Sequence, residues 1–106
     1  MARYTNFFIT GSSLPEVHQS LVAVLQSCDL TLVYEDSSYI VAKEKPGQVS
    51  FGQLATVELL INPPTTQSGA KVDLVVKNEE LPLRAENHCH DVFQVVNQAI
   101  SDAAAT

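Results

Sequence analysis

Tryptophan is absent, methionine occurs once, and the 106 residues hold only two cysteines, four glycines and six basic side chains. Each scarcity excludes something. Cys28 and Cys89 lie far apart and form neither a C-x-x-C pair nor a dense framework, so both are expected to be reduced thiols. Four glycines leave little material for a phosphate-cradling loop, and no G-x-S-x-G elbow, H-E-x-x-H helix or kinase-like motif occurs. The expectation is a protein that is not an enzyme of a familiar class and takes no cofactor. Against twelve acidic residues the six basic ones leave a net charge of −6 and a pI near 4.8. The domain as a whole should therefore be repelled by phosphate backbones and anionic bilayers, and neither nucleic acid nor membrane is expected as a partner. The longest apolar run, Leu21 to Leu25, is far short of the roughly 20 residues a membrane helix needs. The stretch MARYTNFFITG lacks the layout of a signal peptide, which points to a cytoplasmic protein.

What is present is ordinary globular material: 45% hydrophobic and 17% charged residues over a length suited to one domain, residues 1–106. Arg3 to Thr10, with Tyr4, Phe7, Phe8 and Ile9, reads as a first strand closed by Gly11 and Ser12. Ser13 and Glu16 stand in the S-x-x-E relation of a capping box, so a helix should begin there, with Pro15 tolerated in its first turn. Leu14, Val17, Leu21, Val24, Leu25 and Cys28 supply its inward stripe. From Leu30 the period becomes two. Leu30 to Glu35 and Tyr39 to Lys45 form a hairpin across Asp36, Ser37 and Ser38. Val49 to Ile61 reads as one strand of about twice the usual length, bent at a bulge near Gly52. Ala70 to Lys77 alternates strictly. A last helix starts near the N-cap residue Asn87, with Cys89, Val92, Phe93, Val96, Ala99, Ile100 and Ala103 inward.

The order β-α-β-β-β-β-α predicts an α+β fold, one curved antiparallel sheet with both helices on one face. This order resembles half of a TATA-binding-protein-like domain, or a reduced helix-grip domain, in which the sheet wraps a long C-terminal helix, here Cys89 to Ala103. The run ENHCHDVFQVVNQAI also resembles the end of small uncharacterised proteins from cyanobacteria. Both likenesses concern architecture, and no functional residue is carried over from either.

The most suggestive local cluster is His88, Cys89, His90 and Asp91, all of ligand type. Helical spacing lets His88 and Asp91 share a face, turns His90 elsewhere and assigns Cys89 to the core stripe, so no metal site is expected. Cys89 near a helix start would feel a field favouring thiolate, but its apolar setting predicts an inert thiol. Glu79, Glu80, Arg84 and Glu86 read as a solvated charged connection.

The outer sheet face carries more information. If Phe51, Val57, Leu59, Ile61, Val72, Leu74 and Val76 face the helices, the pleat sends Leu54, Leu60 and Val75 outward, joined by Val33 and by Val41 or Tyr39. Such a face suggests a contact with a protein partner or with a second copy, with Glu58 set against Lys71 or Lys77 of the other subunit. The partner-binding candidates are thus Val33, Val41, Leu54, Leu60 and Val75. The alternative is a carrier for a small apolar ligand, with Phe51, Leu59, Val72, Phe93 and Val96 lining a cavity between sheet and last helix.

Overall fold

A computed structural model describes residues 1–11, 13–47, 49–65, 69–80 and 87–104. Five strands and two α-helices follow in the order β1 (Ala2–Thr10), α1 (Leu14–Ser27), β2 (Leu30–Glu35), β3 (Tyr39–Glu44), β4 (Thr56–Asn62), β5 (Ala70–Asn78) and α2 (His88–Ala104). All strand pairs are antiparallel, and the spatial order is β1-β5-β4-β3-β2. The chain enters at one edge, crosses over the sheet through α1 to the other edge, and meanders back through three hairpin-like connections. The fold is α+β, as its alternation of periods predicts. No helix among the described residues is long and apolar enough to cross a membrane.

Helix α1 starts where the capping signature places it. Ser13 is its N-cap and accepts the Glu16 backbone N–H at 3.4 Å, while Pro15 sits in the first turn, where its missing N–H costs nothing. Val17, Leu21, Val24 and Leu25 turn inward. They meet Ile40, Ala42, Val57, Leu59, Ile61, Val72, Leu74 and Val76 from the sheet and Cys89, Val96 and Ile100 from α2 in one continuous core. Both helices thus cover the same face, and the side chains of the opposite pleat are left to solvent.

One expected element is corrected. Residues 49–61 are not a single long strand: a short 3-10 turn, η1 (Phe51–Gln53), precedes β4, and Gly52 lies inside that turn rather than at a bulge. Ser50 and Gln53 explain it. The Ser50 backbone N–H and hydroxyl donate to Gln53 Oε1 at 3.4 and 3.1 Å, and the Gln53 N–H returns to the Ser50 carbonyl at 2.9 Å. S-x-x-Q is a capping signature like the one that opens α1, and here it outcompetes the strand. The bulge belongs instead to the edge strand β2, where the register shifts between Leu32 and Tyr34 and leaves Val33 as the extra residue.

Candidate functional site

Strand pairing writes the outer face as four rows running across the sheet, because residues directly opposite one another share a side. Phe7, Asp73, Leu60 and Tyr39 make one row, and Thr5, Val75, Glu58, Val41 and Tyr34 the next. The flanking rows are Ile9, Lys71 and Asn62 on one side, and Arg3, Lys77, Thr56, Lys43 and Thr31 on the other. The two middle rows therefore alternate apolar and aromatic side chains with Asp73 and Glu58, and the cations lie in the two flanking rows.

The five partner-binding candidates do not all lie on that face. Leu60 is 44% exposed, and Val41 and Val75 beside it are half-buried. Val33 is exposed at the β2 bulge, on the free edge. Leu54 follows η1 and lies past the end of β4, so it joins a groove there rather than the face itself. Phe7 and Ile9 belong to the face and are 57% and 51% exposed, yet sequence reasoning passed over them. Their signal was the alternation of β1, in which Ala2, Tyr4 and Phe8 turn inward; the adjacent Phe7, Phe8 and Ile9 obscure it.

Polar groups on the face are largely paired among themselves. Lys77 Nζ lies 3.1 Å from Glu58, Lys71 Nζ 3.5 Å from Asp73, and the Asn62 amide donates to Asp73 at 2.9 Å. Lys71 also stands 5.0 Å above the Phe7 ring, a cation–π geometry. Glu58, expected to reach a second subunit, is thus engaged within its own chain.

Of the residues expected to line an apolar cavity, four belong to or pack against the core and one, Phe51, stands apart. Leu59, Val72 and Val96 are core residues and Phe93 packs at its margin. Phe51, at 83% exposure, stands on η1 outside the core, because the turn that replaces the strand swings it into solvent.

A second polar cluster surrounds the start of α2. Asn87 caps the helix by accepting the His90 N–H at 3.1 Å and donates to the Tyr4 hydroxyl at 2.7 Å. Glu80, expected in a solvated loop, is buried: its Oε1 accepts from the Asn78 amide at 2.5 Å and the Cys89 N–H at 3.0 Å. Burial pushes the Glu80 carboxyl up, but these donors outweigh it and hold it below its ordinary value. Arg84 and Glu86 lie outside the described residues.

His88 Nε2 meets Glu44 Oε1 at 2.7 Å, and Glu44 also accepts the Ala55 N–H at 2.8 Å. The His90 ring packs against Tyr4 with centroids 4.9 Å apart and planes tilted by 59°. Cys89 is fully buried, its thiol directed to the Val76 carbonyl at 3.4 Å and pushed up to about 11 by burial and then by Glu80 and Glu44. Cys28 lines a groove of about 230 Å³ together with His88 and Glu44, but burial raises its thiol too. Neither thiol is a poised nucleophile. Among the described residues no three His, Cys, Asp or Glu side chains are grouped to hold a metal ion.

No protein-family model matches the chain, and no curated protein matches it.

Proposed function

We propose that the protein is a non-enzymatic binding or accessory domain that makes a protein contact through the outer face of its sheet. One observation carries the reading: Phe7, Val75, Leu60 and Val41 are diagonal neighbours across four adjacent strands, with Asp73 and Glu58 at the alternate positions and Ile9 beside Phe7, and no element among the described residues packs over them. Full burial of such side chains is worth roughly 1.5–3 kcal/mol each, which several together can set against the cost of association. Scattered exposed apolar residues need no explanation, but a contiguous band does.

The test is site-specific photo-crosslinking in the cell of origin. A benzophenone side chain at Phe7 should give discrete protein adducts, and Leu60→Thr in the same chain should abolish them. A benzophenone at Val95, exposed on α2, serves as the control. Adducts from Val95 but none from Phe7 would overturn the reading, as would Phe7 adducts indifferent to Leu60→Thr.

A further inference from the structure

The basic residues of this acidic chain are concentrated on the outer face. Arg3, Lys43, Lys71 and Lys77 bring four of the six basic residues to it, whereas Asp73 and Glu58 are two of the twelve acidic ones. Glu79, just past the end of β5, and Asp36, bonded to the Tyr34 hydroxyl, border the face, so its excess of positive charge is confined to the row of Arg3, Lys77 and Lys43. A chain of net charge −6 thus collects its positive charge on the one surface that also carries the apolar band.

The cations are not equivalent. Lys71 and Lys77 neutralise Asp73 and Glu58. Arg3 and Lys43 have no carboxylate partner among the described residues, and both are exposed. They lie in the same row on β1 and β3, three strand spacings or roughly 14 Å apart, with Lys77 between them. At the foot of that row a groove of about 300 Å³ brings Phe51 and Leu54 beside Lys43 and Lys77, with Glu44 and Glu79 also in its wall.

We infer that the occupant of this face is an acidic polypeptide bearing apolar side chains, whose carboxylates meet Arg3 and Lys43 while its apolar groups cover Leu60 and Phe7. The inference rests on the protein-contact reading and adds the chemistry of the partner. A second copy docked face to face would offer Arg3 and Lys43 carboxylates that are already engaged, Asp73 with Lys71, Glu58 with Lys77 and Asp36 with the Tyr34 hydroxyl, and so matches them poorly. Nucleic acid would meet the same cations, but ten acidic residues elsewhere in the chain oppose a polyanion that extends past the face.

Fluorescence anisotropy with labelled peptides tests it. The probes are a peptide of alternating Glu and Leu, its Lys–Leu and Ser–Leu counterparts, and a single-stranded oligothymidylate. The Glu–Leu peptide should bind best and weaken as salt rises. Arg3→Glu combined with Lys43→Glu should weaken it about tenfold or more, and Leu60→Thr should weaken it by a comparable factor. If the Ser–Leu or Lys–Leu peptide binds as well, with the same dependence on Leu60, the acidic partner is wrong while the protein-contact reading stands. If no peptide binds, or Leu60→Thr changes nothing, both go. Tighter binding of the oligothymidylate, lost in the double charge variant, would make the face a nucleic-acid site instead, and dimers in light scattering that Leu60→Thr dissolves would make the occupant a second copy.

Discussion

Asp29 holds a backbone φ of +63°, directly after the Cys28 cap that ends α1. This left-handed position normally favours glycine, because any Cβ crowds the neighbouring carbonyl. Asp29 also pairs with Lys45 at 2.9 Å, but both side chains are largely in water, where such a pair is worth about 0–1 kcal/mol. Asp29→Gly is therefore expected to leave stability unchanged or raise it by up to about 1 kcal/mol in urea unfolding. A loss beyond about 1 kcal/mol would show that the ion pair outweighs the strain. At Cys89 the folded state favours the neutral thiol, so its contribution is fully present below pH 9 and is lost as pH rises toward about 11. The stability advantage of the native chain over Cys89→Ala should shrink across that interval. Tyr34 and Tyr39, whose hydroxyls are also raised, are present in both chains and cancel. An advantage that stays constant with pH would contradict the burial of the thiol.

At the scale of elements, local chemistry decided most boundaries. The β2–β3 turn is held by Asp36, whose Oδ1 accepts the Ser38 and Tyr39 N–H groups at 2.9 and 2.8 Å while Oδ2 accepts the Tyr34 hydroxyl at 2.9 Å. These bonds hold its carboxyl below the ordinary value, the Ser38 N–H foremost, so the turn should loosen only as pH falls through that lowered value. Amide exchange at Ser38 and Tyr39 would show the change, and Asp36→Ala should remove the protection at any pH. Asp36 was legible beforehand as a turn residue, like Ser13 and Asn87 as caps, because each acts on its own neighbours. The 3-10 turn at Phe51–Gln53 was equally local, but the apolar Val49, Phe51 and Leu54 drew attention away from Ser50 and Gln53. Glu80 is different. Its carboxylate ties Asn78 at the end of β5 to the Cys89 N–H in the first turn of α2, and nothing in its own segment announces that role. Glu80→Ala should cost about 1–3 kcal/mol by orphaning a buried donor, and Glu80→Gln, which keeps an acceptor, distinctly less. Equal losses would mean that the charge, not the acceptor, matters.

At the scale of the whole molecule, the pleat divides neighbours sharply. Leu59→Ala, which empties part of the core, should destabilise by about 2–5 kcal/mol, while Leu60→Thr one residue away should change stability by no more than about 0.5 kcal/mol. Thermal unfolding of the two variants is the check, and similar losses would place Leu60 in a buried environment. The amino-acid sequence by itself determined the strands and α-helices in their order and most of the inward residues of α1, β4, β5 and α2, because periods of two and 3.6 are local properties of the chain, whereas Leu14, Phe51 and Ala103, read as inward, are exposed. Only the tertiary structure decided which residues stand side by side. Arg3, Lys43 and Lys77 come from strands far apart in sequence, and the pairing of β1 with β5, of β5 with β4 and of β4 with β3 aligns them in one row. Register of that kind is set by long-range hydrogen bonding and core packing, which no local period encodes.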